Sequence, residues 1–374
     1  MQQPSRAQRY SRLSLILSLS SSALSLMITV LILYSGVHLT LRNMAYRYTE
    51  NPYGALLLFS LFLGLVYYVA GAPLSWLKDY WLEHRYGLSN QNMQQWLMER
   101  LKVLLLGMVL FLPLLLLFFY FFTNHPHSWW LWTATALFIF SVVLGKLAPQ
   151  LIFPLFYKFE PLEDPALLER MKVLAKNGNF NLKGVYRFDM SKTTNKANAA
   201  FTGMGKGKRI IIGDTLLNTM SIDEIETVFA HEVGHYVHRH ITWGLVTGTL
   251  ISYGSLWLTA WLYGMTWQLF NIPAYGDVSA LPLLGLILTL IQMPVTPLQN
   301  MLSRFNERQV DRYALEHSTK PQAFPEALRK LAESNLSDPE PPAWEEFLFH
   351  SHPSVNRRLA YMQAFLKDKG VDVS

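Results

Sequence analysis

The sequence predicts a mainly α protein, a multi-pass bundle of membrane helices joined to a polar domain that contains a small β-sheet. Three observations lead there. Of 374 residues, 51% are hydrophobic and only 16% are charged, a balance that water-soluble domains seldom show. The apolar residues gather into six runs, at about 13–35, 54–77, 101–123, 129–153, 241–270 and 281–300, each near the roughly 20 residues that span a bilayer as a helix. Two polar stretches, about 157–240 and 301–374, contain short β-like runs and helical patterns between turn residues, as a folded domain outside the membrane would.

The first run follows Arg6, Arg9 and Arg12. Its apolar stretch exceeds the central region of a secretory signal, and no small-residue cleavage site follows, so it is expected to be a retained helix. A connection of amphipathic pattern, 78–100, separates the second and third runs. The sixth contains Pro294 and Pro297, which would kink or end it.

Lys and Arg near helix ends set orientation. They occur in the N-terminus, in 78–100 (Lys78, Arg85, Arg100) and in both polar stretches, whereas 124–128 and 271–280 have none. Those four segments are expected on one side, the cytosolic one; only Arg42 and Arg47 dissent. The formal charge of +6 suggests anionic headgroups as partner, not nucleic acid, because the basic residues flank membrane helices without interleaved aromatics. With no cysteine, disulfides, thiolate ligands and a cysteine nucleophile are excluded.

Within the first polar stretch, Leu162–Lys176 reads as a helix, and Gly184–Asp189, Ala199–Thr202 and Arg209–Ile212 as strands. Gly203, Gly205 and Gly207 lie between the last two; without a strand-to-helix context they predict a hairpin turn, not a phosphate loop. Ser221 and Glu224 form the pattern of a capping box. Ile222, Ile225, Val228 and Phe229 give the helix that follows an apolar face. It lacks a stop signal before Ile241, so His238 and His240 are expected to continue it.

That helix carries His231-Glu232-Val233-Gly234-His235. Histidines at i and i+4 share a helix face, one turn apart, and can bind one Zn²⁺. Glu232 is turned about 100° from His231, beside the metal, where it can act as general base. Gly234 is expected to leave room for substrate. Chance would give this pattern in about one chain in a hundred of this histidine content, so the capped helix around it matters. Zinc hydrolases need a third ligand and an open fourth position. In Ser303-Arg-Phe-Asn-Glu-Arg-Gln-Val-Asp311, Glu307 is the candidate ligand, with Asp311 one turn on to fix an imidazole tautomer.

The chain resembles the integral-membrane type I CAAX prenyl endopeptidases, zinc metalloproteases that trim prenylated C-termini, with the HtpX-type proteases as more distant relatives. Besides HEVGH and SRxxExxxD, the resemblance rests on Tyr80–Gly87, Pro154–Leu162, Asn198–Gly203 with Lys208–Leu217, and Ser351–Arg358, spanning about 55–365. It implies one gluzincin-like zinc site per chain, with His231, His235 and Glu307 as ligands and Glu232 as general base. It also implies a substrate strand held along Asn198, Ala199 and Phe201 by β-augmentation, and His352 and Arg358 stabilising the oxyanion or a substrate carboxylate. The expected domains are 1–153, four membrane helices, and 154–374, the metallopeptidase domain interrupted by a membrane hairpin at about 241–300. Family members usually have seven membrane helices, whereas six runs occur here, the difference lying at the N-terminus. The expected setting is a bacterial inner membrane, with peptide or protein substrates, lipid-modified or not. A quality-control protease without prenyl specificity, or an inactive zinc-dependent membrane scaffold, are the alternatives; an intact general base disfavours the scaffold.

Overall fold

The computed structural model describes residues 4–202 and 207–371. Residues 203–206, where the sequence predicts a hairpin turn, and the side chains of Phe201 and Thr202 lie outside the described residues. Among the described residues, six helices are long and apolar enough to cross a membrane. In chain order, α1 is Arg6–Tyr34, α2 the short Val37–Tyr48, α3 Pro52–Arg85, α4 Met93–Asn124 and α5 Trp129–Phe156. After β1 (Phe159–Pro161) come α6 (Pro165–Asn177), β2 (Asn181–Phe188), β3 (Ala199–Thr202), β4 (Gly207–Gly213), α7 (Asp214–Thr219) and α8 (Ile222–Val237). The chain returns as α9 (His240–Phe270) and α10 (Val278–His317), and ends in α11 (Phe324–Ser334), α12 (Ala343–Phe349) and α13 (Val355–Asp368).

All six apolar runs are helices, each longer than its run. The 78–100 connection shrinks because α3 continues to Arg85, where Gly87 at φ +65 turns the chain away, a left-handed position that favours glycine. Asn92 then starts α4 with a capping box. Pro294 and Pro297 do not end α10. Apolar surroundings leave a backbone no better partner than its own helix, so the ladder continues past both rings. The helix expected at Leu162–Lys176 starts later, where Asp164 caps it ahead of Pro165.

The ends of the bundle sort as the basic residues predict. Arg6 donates to Tyr86 O (2.6 Å), and Lys196 bonds Glu83 (2.9 Å) beside Tyr10, so the N-terminus, the α3–α4 turn and the polar domain share one face. At the opposite face, His38 Nε2 meets Phe270 O (3.0 Å) and Trp129 Nε1 donates to the Tyr275 hydroxyl (3.1 Å). Arg42, which dissented from the charge rule, pairs there with the buried Asp277 at 2.6 Å; its charge answers a carboxylate.

The sheet has order β1-β2-β4-β3, with β2 and β4 parallel and the outer pairs antiparallel. β3 is therefore an edge. One face packs on α6 and α8 through Leu174, Val185, Ile210, Ile212, Val228 and Phe229, a core that the end of α10 joins through Tyr313 and Ala314.

Candidate active site

Ser221 caps α8 as expected: its Oγ accepts from Glu224 N and the Glu224 carboxylate accepts from Ser221 N at 2.7 Å. A second device fixes the helix from outside. Glu226 is buried and accepts from Arg170 of α6 (2.7 Å) and from both the backbone N–H and hydroxyl of Thr319, just past α10 (2.8 and 2.6 Å). The helix carrying the histidines is thereby tied to the end of the helix carrying Glu307.

His231 and His235 meet Glu307 across the α8–α10 contact, with Nε2 of His231 3.4 Å from Oε2 and Nε2 of His235 3.3 Å from Oε1. One ligating atom from each of the three lies within 4.8 Å of the others, a set of two neutral nitrogens and one carboxylate that suits a divalent cation. Glu307 is 3% exposed, and its Oε2 makes no hydrogen bond among the described residues. A buried carboxylate oxygen without a donor is costly in a bare protein, and a cation among these atoms removes that cost. The residues fit a metal.

Behind His231, Nδ1 lies 3.0 Å from Oδ1 of Asp311. The carboxylate can only accept, so Nδ1 carries the proton and Nε2 is left with a lone pair towards Glu307. Arg358 forks onto the same carboxylate, Nε to Oδ2 at 2.9 Å and Nη2 to Oδ1 at 2.6 Å. Glu232 stands beside the three on the cleft wall. Burial pushes its carboxyl above the ordinary range; His231 and His235 oppose the rise and Glu307 adds to it.

A profile of peptidase family M48 matches residues 161–365, and one described as the CAAX prenyl protease N-terminal segment with five membrane helices matches residues 2–158. The chain belongs to peptidase family M48. It is a membrane metalloprotease of the CAAX prenyl protease type. A Bacillus subtilis protein described as the uncharacterized metalloprotease YhfN is 31% identical over 82% of this chain and 72% of its own. CAAX prenyl protease 1 of Saccharomyces cerevisiae is 30% identical over 77% of this chain and 67% of its own. The crystal structure of S. mikatae Ste24p superposes with a TM-score of 0.84, at 26% identity, over 96% of this chain and 87% of that one. Within 2–158 this M48 chain has four of its six spans plus the short α2.

The other expected residues of the M48 site sort by position. A cleft of about 580 Å³ runs past His231 and Glu232 and is lined also by Asn198, Ala199, His352 and Arg358. Asn198 precedes the edge strand, and its carbonyl accepts from Gly213 N at 2.9 Å. His352 comes closest to the metal cluster, with Nε2 3.4 Å from Glu307 Oε1. Arg358 spends two donors on Asp311 and is 4.0 Å from Glu307, which makes it first a clamp on Asp311.

Two expectations need correction. Gly234 opens no path for substrate: a Cβ there would lie 3.0 Å from Val310 Cβ and 3.1 Å from Val310 Cα, so the glycine lets α8 and α10 approach. The helix does not run on through His240. It ends at Val237, and Arg239 takes a left-handed conformation (φ 55) before α9 begins at His240. The turn brings His240 against the ligand pair, with its Nδ1 3.1 Å from Nδ1 of His235. Sequence reasoning missed Gln309, bonded to His240, since a glutamine on an Arg-rich helix reads as solvated surface. It also missed Arg304, which donates to the carbonyls of Glu346 (2.9 Å) and His350 (2.5 Å) and so holds the turn that presents His352.

Proposed function

We propose that this protein is a zinc metalloendopeptidase that cleaves peptide bonds of membrane-associated or lipid-modified, CAAX-like substrates. The observation carrying this reading is the convergence of His231, His235 and the donor-free Oε2 of Glu307 beside Glu232. A zinc ion held by the three supplies Lewis acidity, polarising a carbonyl and lowering the pKa of bound water. Asp311 keeps His231 in the ligating tautomer, and Arg358 keeps Asp311 ionised and oriented. An extended peptide adds to the free edge of β3 along Asn198, Ala199 and Phe201, which runs its backbone past Glu232. Glu232 takes a proton from the attacking water on its carboxylate and passes it to the leaving amide nitrogen. The Ser351 hydroxyl, 3.0 Å from Nδ1 of His352, leaves the Nε2 proton of His352 for the oxyanion.

In this reading residues 1–153 form the membrane enclosure and 154–374, apart from the hairpin, the catalytic domain. The site faces the cytosol from a bacterial inner membrane, on the side where the basic segments gather. Glu232→Gln is expected to retain zinc and lose cleavage; cleavage at the wild-type rate would reject Glu232 as the base. Rates on a farnesylated peptide and its unprenylated twin separate the two substrate classes. Equal rates favour the quality-control reading.

A further inference from the structure

The two metal-facing histidines are held differently. His231 has Asp311 behind it; among the described residues no carboxylate bonds Nδ1 of His235. Instead, Nδ1 of His235 lies 3.1 Å from Nδ1 of His240, and Nε2 of His240 lies 3.0 Å from Oε1 of Gln309. Two imidazole nitrogens can share a hydrogen bond only when one carries the proton and the other a lone pair, so this three-member chain has two possible polarities. In the first, the Gln309 carbonyl accepts from His240 Nε2–H, the bare Nδ1 of His240 accepts from His235 Nδ1–H, and Nε2 of His235 is free to ligate. In the second, the Gln309 amide donates, every bond reverses, and Nε2 of His235 carries a hydrogen that blocks a metal. Which end of one glutamine faces His240 therefore decides whether His235 can be a ligand.

The backbone has been bent to build this chain. On a continuous helix a residue at i+5 lies about 140° away from His235, out of reach. The left-handed Arg239 breaks α8 and starts α9 in a new direction, which brings the His240 ring back onto His235 at a centroid separation of 5.2 Å. A non-glycine residue in that region carries a conformational cost.

We propose that His240 and Gln309 are positioning residues that set the tautomer of His235, so that its Nε2 faces the metal as a lone pair. This rests on the zinc reading, and deepens it by naming what makes the second histidine competent. It also couples three elements at one point, because His240 starts α9 and Gln309 lies between Glu307 and Asp311 on α10.

The test is zinc affinity of the full-length protein in detergent, by competition with a chromophoric chelator, alongside thermal unfolding of the metal-free form. His240→Phe is expected to weaken zinc about 10–100-fold, the range for removing the group behind a ligating histidine. His240→Asn, whose amide oxygen can stand where Nδ1 stands, is expected to stay within a few-fold of wild type. Gln309→Lys, which can only donate, should weaken zinc more than Gln309→Met, which can do neither. Arg239→Gly should leave affinity unchanged. Wild-type affinity in His240→Phe overturns the proposal, as do equal losses in His240→Asn and His240→Phe with unchanged unfolding, or in Gln309→Lys and Gln309→Met. If His240→Phe fails to fold, the Gln309 pair decides. A wild-type protein that binds no zinc overturns the zinc reading itself; zinc binding that ignores all of these substitutions overturns only the relay.

Discussion

Replacing Gly234 with alanine tests whether the α8–α10 approach sets the metal site. The added Cβ would meet Val310 Cβ at 3.0 Å, and Val310 Cα and Cγ1 at 3.1 Å. Carbon pairs are comfortable at about 3.5–4.0 Å, so the helices must part by roughly half an ångström, and the backbone contact prevents relief by rotating a side chain. Overpacking of this kind costs about 1–3 kcal/mol, while alanine for glycine inside a helix returns about 1 kcal/mol, so overall stability should fall little. Glu307 lies one turn from Val310 on the same helix, and metal–ligand distances tolerate only about 0.2 Å. Gly234→Ala is therefore expected to lose zinc affinity by about tenfold or more, and peptide cleavage with it, at nearly unchanged unfolding temperature. The measurement is chelator competition with parallel thermal unfolding. Gly248→Ala is the control, because nothing lies within 4 Å of a Cβ built there. Wild-type zinc affinity in Gly234→Ala would refute the reasoning.

Three further outcomes follow from the same contacts. Asp311→Asn keeps one acceptor oxygen where His231 and the Arg358 fork use two; zinc affinity should drop about 10–100-fold, and a poorly paired buried Arg358 should lower the unfolding temperature, whereas unchanged values in both assays would contradict the clamp. Burial tends to raise the Glu224 carboxyl, but Lys330 and the Ser221 backbone and hydroxyl overrule it and hold it below the ordinary value. A depressed folded-state pKa contributes stability that is fully present above the unfolded value near 4.3 and is lost as pH falls through the folded one, so Lys330→Met should lower the unfolding temperature at pH 7, and the deficit against wild type should shrink as the pH is lowered through that range. Arg42→Ala leaves Asp277, 8% exposed, with only the Ser279 N–H and hydroxyl; removing one partner of a buried pair costs about 3 kcal/mol. Because this pair sits at the face opposite the metal cluster, activity per folded molecule should hold, and a proportional loss of specific activity would show that the two faces are coupled.

The parts legible in the sequence were those governed by local chemistry or by bulk solvent. Six spans could be read because a bilayer demands length and apolarity. His231 and His235 could be singled out because candidate metal ligands recur at helical spacing, Glu307 and Asp311 because that pair and the family resemblance pointed to the same segment, and Ser221 with Glu224 because caps act over three residues. What escaped depends on where two elements meet. Gly234 looked like an aperture because Val310, its real constraint, is far away in sequence. His240 looked like one more turn of α8 because arginine gives no sign of a left-handed backbone. Arg358 was matched to substrate, and only the fold reveals that Asp311 takes two of its donors first.

The continuity of α10 has a mechanical consequence. It starts at the membrane face opposite the metal cluster and runs unbroken to His317, carrying Glu307 and Asp311 near its end; at 1.5 Å per residue its 40 residues are a rod of about 60 Å. A rod anchored in lipid tilts or slides when hydrocarbon thickness changes, since mismatch costs a fraction of a kcal/mol per ångström. α8 is tied to that end of the rod through Glu226 and Thr319 and through the close approach of Gly234 to Val310. A tilt of the rod therefore carries His231, His235 and Glu307 with it as one piece, and a change in hydrocarbon thickness shifts the position of the cluster relative to the lipid without spreading its atoms.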